Sequence, residues 1–303
     1  MSTETIPIIL DTDIGSDIDD AVCLAYLLKQ PRCELVGITT VSGRDPRQRA
    51  ALADAVCRAG GRDDVPIHSG ASCGIVDGKI VQPDVPQAAV LERFSHRRTD
   101  EFTSNTAVQF LQDAINSRPG EITLLAIGPF TNLGLLFALD PDVPRKLKQL
   151  VLMCGYFGNL SGHGHTSLEW NARCDPLATH IVYRSPILDH RSVGLDVTKR
   201  VTMPTPECIN RFRKAGGPLS VVSAMTEVFE RAQVVFHDPL AATLIFKPEI
   251  CTWVEGRVEV ELASPRCPGL THFDRSIAER PHRVAWEVDA PAFFNEYFGI
   301  VES

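Results

Sequence analysis

The stretch ILDTDIGSDIDDAVCLAYLL, residues 9–28, sets five aspartates (Asp11, Asp13, Asp17, Asp19 and Asp20) between two apolar runs. Residues 6–10 read as a buried β-strand, and residues 19–30 carry helical periodicity up to Pro31, which stops it. A strand turning directly into a helix is the opening unit of an α/β sheet, so the aspartates occupy the turn at the carboxyl end of that strand. Open α/β sheets bind their ligands at that edge. Helix capping and the helix dipole favour one or two acids there, but five mutually repelling carboxylates need a further source of positive charge. A divalent cation would supply it, and an all-oxygen ligand set suits calcium or magnesium rather than zinc.

The same strand–helix rhythm continues along the chain. Residues 34–40, 122–127, 150–154 and 192–195 read as further buried strands, and residues 47–59, 106–117, 131–139, 176–184 and 219–231 as helices. Gly60-Gly61 and Pro119-Gly120 are ordinary helix stops. The last third adds strands over 253–262 and 284–288 and a helix near 290–298. Alternation of this kind predicts an α/β fold, an open mixed and mostly parallel sheet with helices on both faces. No internal repeat or linker interrupts it, so residues 1–303 are expected to form a single domain. Two long glycine-rich loops, 69–87 and 155–167, have the length that usually marks functional loops.

Composition narrows the function. The chain has 303 residues, 44% hydrophobic and 22% charged, which is a globular balance able to bury a large core. Its net charge of -8 argues against nucleic-acid or anionic-membrane partners. Nine dispersed cysteines with no Cys-x-x-Cys pair fit a reducing compartment. The opening MSTETIPIIL has no export-signal pattern, and no apolar stretch reaches membrane-spanning length. A cytoplasmic location is therefore expected.

The aspartate turn admits rival readings. An EF-hand fails because its glycine falls one position early and Val22 stands where a bidentate glutamate is required. LDTD after an apolar strand resembles the haloacid-dehalogenase superfamily, which would make Asp11 the nucleophile of a Mg²⁺-dependent phosphatase. Gly15 departs from that motif, and the acids at 17, 19 and 20 exceed what it needs.

Three later stretches bear on the choice: AIGPFTNLG (126–134), GNLSGHGHTSLEWNARCDP (158–176) and VVFHDPLA (234–241). Together with DTDIGSDIDDA, these motifs resemble, in order and spacing, nucleoside hydrolases of the inosine–uridine-preferring type. The resemblance runs from the first strand to at least residue 241. It implies a Rossmann-like nucleoside hydrolase fold and a Ca²⁺-dependent enzyme that splits the N-glycosidic bond of a ribonucleoside into ribose and free base. Carried over by motif, Asp13, Asp20, Asp238 and the carbonyl of Ile127 would hold the ion. Asp13 would also be the general base toward the attacking water, and His237 the acid that assists the leaving base. Asp19, Asn159, Glu169, Trp170 and Asn171 would line the ribose. Phe229 and Gln233, upstream of the HDP turn, lie where relatives contact the base, although core packing suits Phe229 equally. Relatives are commonly homodimers or homotetramers. A non-catalytic nucleoside-binding relative is the remaining alternative.

The sequence departs from the more familiar pattern D-x-D-P-G-x-D-D-A. Ile14 replaces the proline, and two extra residues separate Gly15 from the Asp19-Asp20 pair, which leaves Asp17 either supernumerary or a replacement ligand. In TTVSGRDP, Arg44 stands where many relatives have asparagine, as a pocket residue or a surface charge. His163 and His165 are either near the base or solvated, and nothing in the two long loops defines the base preference.

Overall fold

The computed structural model describes residues 4–76, 78, 80, 82–158 and 168–303. The chain opens with β1 (Ile6–Thr12), α1 (Asp19–Lys29), β2 (Cys33–Thr40), α2 (Pro46–Ala59) and β3 (Ile67–Ser69). There follow α3 (Ala107–Ser117), β4 (Thr123–Ala126), α4 (Thr131–Leu139), β5 (Gln149–Met153), α5 (Trp170–Cys174), α6 (Pro176–Arg184) and β6 (His190–Val193). The last part holds α7 (Leu195–Thr198), β7 (Thr202–Pro204), α8 (Thr205–Ala215), α9 (Pro218–Glu227), β8 (Gln233–Val235) and α10 (His237–Phe246). It closes with β9 (Cys251–Val260), β10 (Thr271–Asp274), β11 (His282–Val288) and α11 (Ala290–Val301).

Nine strands form one sheet in the order β10-β9-β11-β6-β5-β4-β1-β2-β3. Every pairing from β3 across to β11 is parallel, and β9 runs antiparallel to both β11 and β10. This is the mostly parallel α/β sheet that the alternating runs predict. The cause is visible in β1, whose side chains alternate between two cores. Ile8 and Leu10 join Leu24, Leu52, Val221, Leu240 and Phe293 on one face, and Ile9 joins Leu111, Leu133 and Val182 on the other. Because both faces are covered, β1 is apolar without interruption until Asp11. Each fully buried leucine or isoleucine contributes roughly 1.5–3 kcal/mol, so the β1 triplet alone anchors the sheet to two helical layers.

Topology fixes the site. β1 pairs with β2 on one side and β4 on the other, so the strand order reverses between β1 and β4 and a crevice opens at their carboxyl ends. The aspartate turn enters that crevice, and Ile127, just before GPFTN, lines it from the other side. Gly15 makes the turn possible: its φ is +115°, and a Cβ there would lie 2.4 Å from Val85 and 2.7 Å from Leu52.

The segment expected as one helix over 219–231 ends at Glu227 and gives way to β8. Pro204 closes β7, which with β8 forms a separate two-stranded ribbon. Among the described residues no helix is long and apolar enough to cross a membrane. All nine cysteines are free thiols.

Candidate active site

The aspartates separate by depth. Asp11 is fully buried; its Oδ1 accepts from Thr39 Oγ1 (2.5 Å) and Asn132 Nδ2 (2.7 Å), which clips β2 and α4 onto β1. Burial pushes this carboxyl up to about 7, against the pull of those two bonds. Asp11 does not line the crevice. The phosphatase reading, which requires Asp11 as an accessible nucleophile, is thereby set aside.

The crevice is a cavity of about 450 Å³. Its floor holds Asp13, Asp19, Asp20 and Asp238, each no more than 5% exposed. Asp19 and Asp20 open α1, and Asp238 stands in the first turn of α10, facing them. Carboxylate oxygens of these three lie within 4.8 Å of one another. Thr12 Oγ1 donates to Asp20 Oδ1 at 2.5 Å, and the Asp238 amide donates to Asp19 Oδ2 at 3.4 Å. None of the three forms an ion pair among the described residues. Burial first, and then repulsion from neighbouring aspartates (chiefly Asp17 on Asp19, Asp13 on Asp20 and Asp19 on Asp238), drives all three well above the usual carboxylate range.

Without a cation, this packing can persist only by taking up protons. Hard oxygen donors, three converging carboxylates and an unmet need for positive charge fit an alkaline-earth ion. Asp13 shares the cavity but stands outside the closest trio, and Asp19, expected to meet the sugar, stands inside it. Asp17 is half-buried at the cavity edge, 3.9 Å from Arg231, and is not part of the trio.

A buried arginine supports the turn. Arg49, on α2, is fully buried. Its guanidinium donates to the carbonyls of Asp13, Ile14 (3.0 Å), Ser42 (2.9 Å) and Gln82 (3.3 Å), and to Ser16 Oγ (3.1 Å). Burial raises Asp13 to about 6, and Arg49 is the main force opposing that rise. Gln82 completes the support. With its amide oriented to satisfy both neighbours, Nε2 donates to Asp13 Oδ2 (2.6 Å) and Oε1 accepts from Trp170 Nε1 (2.9 Å). Its φ of +54° is a left-handed conformation uncommon outside glycine, of the kind that clusters at functional sites. Gly128 of GPFTN passes so close that a Cβ would sit 2.9 Å from the Asp13 amide nitrogen.

The opposite wall comes from α5. Glu169 caps that helix, accepting from the amides of Asn171 (2.7 Å), Ala172 (3.0 Å) and Gly155 (3.2 Å). Three of its roughly four acceptor positions are thus used by the backbone. The cap turns Trp170, 40% exposed, and Asn171, buried, into the cavity. Asn171 Nδ2 donates to the carbonyls of Ile127 (2.7 Å) and Met153 (3.0 Å), so the Ile127 oxygen reaches the cavity with one lone pair already engaged.

His237 begins α10 and lines the cavity with Nδ1 2.7 Å from Thr198 Oγ1. Burial, assisted by the charges of Lys199 and Arg231, lowers its pKa to about 4. Lys199 and Arg231 themselves line the cavity. Sequence reasoning missed Lys199, Gln82 and Arg49 as site residues. Lys199 and Gln82 carry no motif, and the only signal for Arg49 was an arginine in an otherwise apolar helical stripe (Ala50, Leu52, Ala53).

Not every expected residue reaches the cavity. Phe229 packs beside the core with the Arg231 guanidinium 5.5 Å from its ring centre, and Gln233 is exposed on β8. Neither is among the lining residues, because the chain turns at 228–232 and presents Arg231 instead. Arg44 is a surface charge, its side chain 71% exposed and 3.8 Å from Asp84. His68 stacks on Phe110 at 4.2 Å, a structural role. Asn159, His163 and His165 lie outside the described residues.

The model of the inosine-uridine preferring nucleoside hydrolase family matches residues 8–295 of this chain. A probable uridine nucleosidase 2 of Oryza sativa subsp. japonica is 29% identical over 94% of this chain and 89% of its own length. A pyrimidine-specific ribonucleoside hydrolase, RihA, of Klebsiella pneumoniae subsp. pneumoniae is 30% identical over 95% of this chain and 96% of its own. Among solved structures, a plant nucleoside hydrolase superposes with a TM-score of 0.83 at 23% identity, covering 98% of this chain and 99% of that one. A purine-preferring ribonucleoside hydrolase from Gardnerella vaginalis superposes with a TM-score of 0.82 at 24% identity, covering 98% of each chain.

Proposed function

Because the chain belongs to the inosine-uridine preferring nucleoside hydrolase family and is therefore a ribonucleoside hydrolase, we propose that its acidic cavity performs the hydrolysis with Ca²⁺ as cofactor. The observation that carries this reading is the buried trio Asp19, Asp20 and Asp238 beside Asp13, at the point where the strand order reverses. Asp13, Asp20, Asp238 and the Ile127 carbonyl would hold the ion, and the geometry adds Asp19 to the candidate ligands. When bound, calcium neutralises the carboxylates, grips vicinal sugar hydroxyls and acidifies a water.

The chain's own groups account for the rest. Asp13, held by Gln82 and by the Arg49 bond to its backbone, takes a proton from the attacking water. The water oxygen bonds to the anomeric carbon, the C–N bond breaks, and its electron pair leaves with the base. The ribosyl cation that develops lies over a floor of carboxylates, which lowers its energy most when its charge is greatest. Asn171, Trp170 and Glu169 form the sugar wall, with Asn159 as a further candidate from the sequence.

His237 faces the leaving base. A Thr198 hydroxyl donating to Nδ1 leaves the proton on Nε2, so the neutral imidazole donates to the base as negative charge develops there. Such assistance typically contributes roughly 10²–10⁴-fold. The names of the sequence relatives make uridine the first substrate to test. The family match from residue 8 to 295 supports one catalytic domain, the free thiols fit a reducing cytoplasm, and a homodimer or homotetramer is the proposed assembly.

The test compares two leaving groups. His237→Ala should lose most of its activity on a nucleoside yet keep it on nitrophenyl riboside, whose leaving group needs little help, whereas Asp13→Ala should lose both. Equal losses in His237→Ala on the two substrates would remove His237 from the leaving-group role.

A further inference from the structure

At the other end of the sheet, β9, β11 and the segment following β10 enclose a cleft of about 490 Å³ lined by Trp253, Val254, Glu255, Arg275, Arg280 and Arg283. Neighbouring arginines are engaged by carboxylates: Arg257 by Glu279, Arg191 by Asp189 and Arg200 by Glu287. The three arginines in the cleft form no ion pair among the described residues. Arg283 lies opposite Glu255 in the β11–β9 register, yet no salt bridge closes between them. Other contacts hold these side chains. The guanidinium of Arg275 lies 5.2 Å from the ring centre of Trp286, and that of Arg283 lies 5.9 Å from the ring centre of Trp253. Arg280 Nε donates to the Ile277 carbonyl at 3.2 Å. One donor has no partner at all: Arg283 Nε is buried and makes no hydrogen bond.

We propose that this cleft binds the phosphate group of a small molecule. Three guanidinium groups against the single Glu255 carboxylate leave two positive charges in excess, matching a phosphate monoester near neutral pH. Guanidinium forks bond phosphate oxygens in pairs, and Arg275 and Arg280, both exposed at the cleft, present theirs to an entering ligand. The volume falls within the range of small-molecule sites. With a net charge of -8, the chain is not a general polyanion binder, so this local positive excess selects a compact anion. The site is separate from the acidic cavity, and its occupancy does not depend on how that cavity works.

Calorimetric titration of the full-length protein at neutral pH, with inorganic phosphate and ribose 5-phosphate as probes and KCl holding ionic strength constant, tests the assignment. Saturable one-to-one binding of either probe is expected. Equal affinities mean that the phosphate alone is recognised, and tighter binding of the ester means that the cleft also reads the sugar where Arg275→Ala/Arg280→Ala removes the difference. In the Arg275→Ala/Arg280→Ala double variant, both residues being exposed, binding should weaken at least about tenfold while nucleoside hydrolysis without phosphate stays unchanged. Heats no larger than the KCl control, or undiminished binding in the double variant, would overturn the proposal.

Discussion

Five aspartates within ten residues do different work, and substitution separates them. Asp11 is a clip: its carboxylate joins β1, β2 and α4 through Thr39 and Asn132. Asp11→Ala leaves the Thr39 hydroxyl and the Asn132 amide short of a partner in a dry interior, which should cost about 2–4 kcal/mol. A urea titration should show this as a lower midpoint with an unchanged slope. Asp13 is the opposite case. It is a buried carboxylate under repulsion, kept in place against its own preference. Asp13→Asn should therefore melt higher than the wild type in metal-free protein at neutral pH, while hydrolysis falls roughly 10²–10⁴-fold. A variant that loses activity and stability together would show that Asp13 is structural.

At the scale of elements, the site depends on two helix starts and one loop. Helices α1 and α10 bring their first turns together, where the helix dipoles favour the acids. The loop running from β3 toward α3 reaches back to the turn through Gln82 to Asp13 and through Gln87, whose amide nitrogen donates to the Gly15 carbonyl (3.2 Å) and whose Nε2 donates to the Asp17 carbonyl (3.0 Å). Gln82→Ala should lower kcat roughly tenfold, the low end of what a positioned catalytic group supplies. It should also alter Trp170 fluorescence, because the indole loses its acceptor, while Tm stays close to wild type. Unchanged emission would mean that the Gln82–Trp170 bond does not form in solution.

The same elements show what a single sequence makes legible. Long strands buried on both faces, such as β1 and β2, are apolar runs bounded by turn residues and are read to within a residue or two. Helix α8 is missed because only Thr205, Cys208 and Phe212 are buried along its length, a stripe one residue wide on a charged helix. The ribbon strands β7 and β8 are three residues each, too short to show a period. In the site, motif-borne residues such as Asp20, Asp238 and Asn171 are legible because their neighbours recur in a known order. Gln82, Lys199 and Arg49 are not, because tertiary folding alone brings them to the cavity.

For the whole molecule, the carboxylates set the pH response of the metal-free protein. Asp11 and Asp13 are raised from 3.8 to about 7 and about 6, and Asp19, Asp20 and Asp238 are raised as well. Between 3.8 and those values the folded chain holds more protons than the unfolded chain. Their contribution to stability is therefore complete below 3.8 and is lost as the pH rises toward 7. His237 and His282, lowered from 6.5 to about 4, and His68 and His190, lowered as well, act in the reverse direction, their contribution being lost as the pH falls from 6.5 through about 4, but the raised carboxylates, which also include Asp17 and Glu169, outnumber them. Chelated protein should melt at a lower temperature at pH 7 than at pH 5. Added Ca²⁺ should raise Tm most near neutrality and little at pH 4, where protons compete for the ligands.

Ribose release before and after chelation tests the central claim most directly. Protein freed of metal is assayed for reducing sugar on uridine, inosine and a wider ribonucleoside panel, then again after Ca²⁺ is restored. The predicted result is release from at least one ribonucleoside with Ca²⁺ present, its loss on chelation, its return on adding Ca²⁺, and no return in Asp13→Ala. Undiminished release from fully chelated protein would contradict the role given to the aspartate trio, and no release from any ribonucleoside with Ca²⁺ restored would contradict the activity itself.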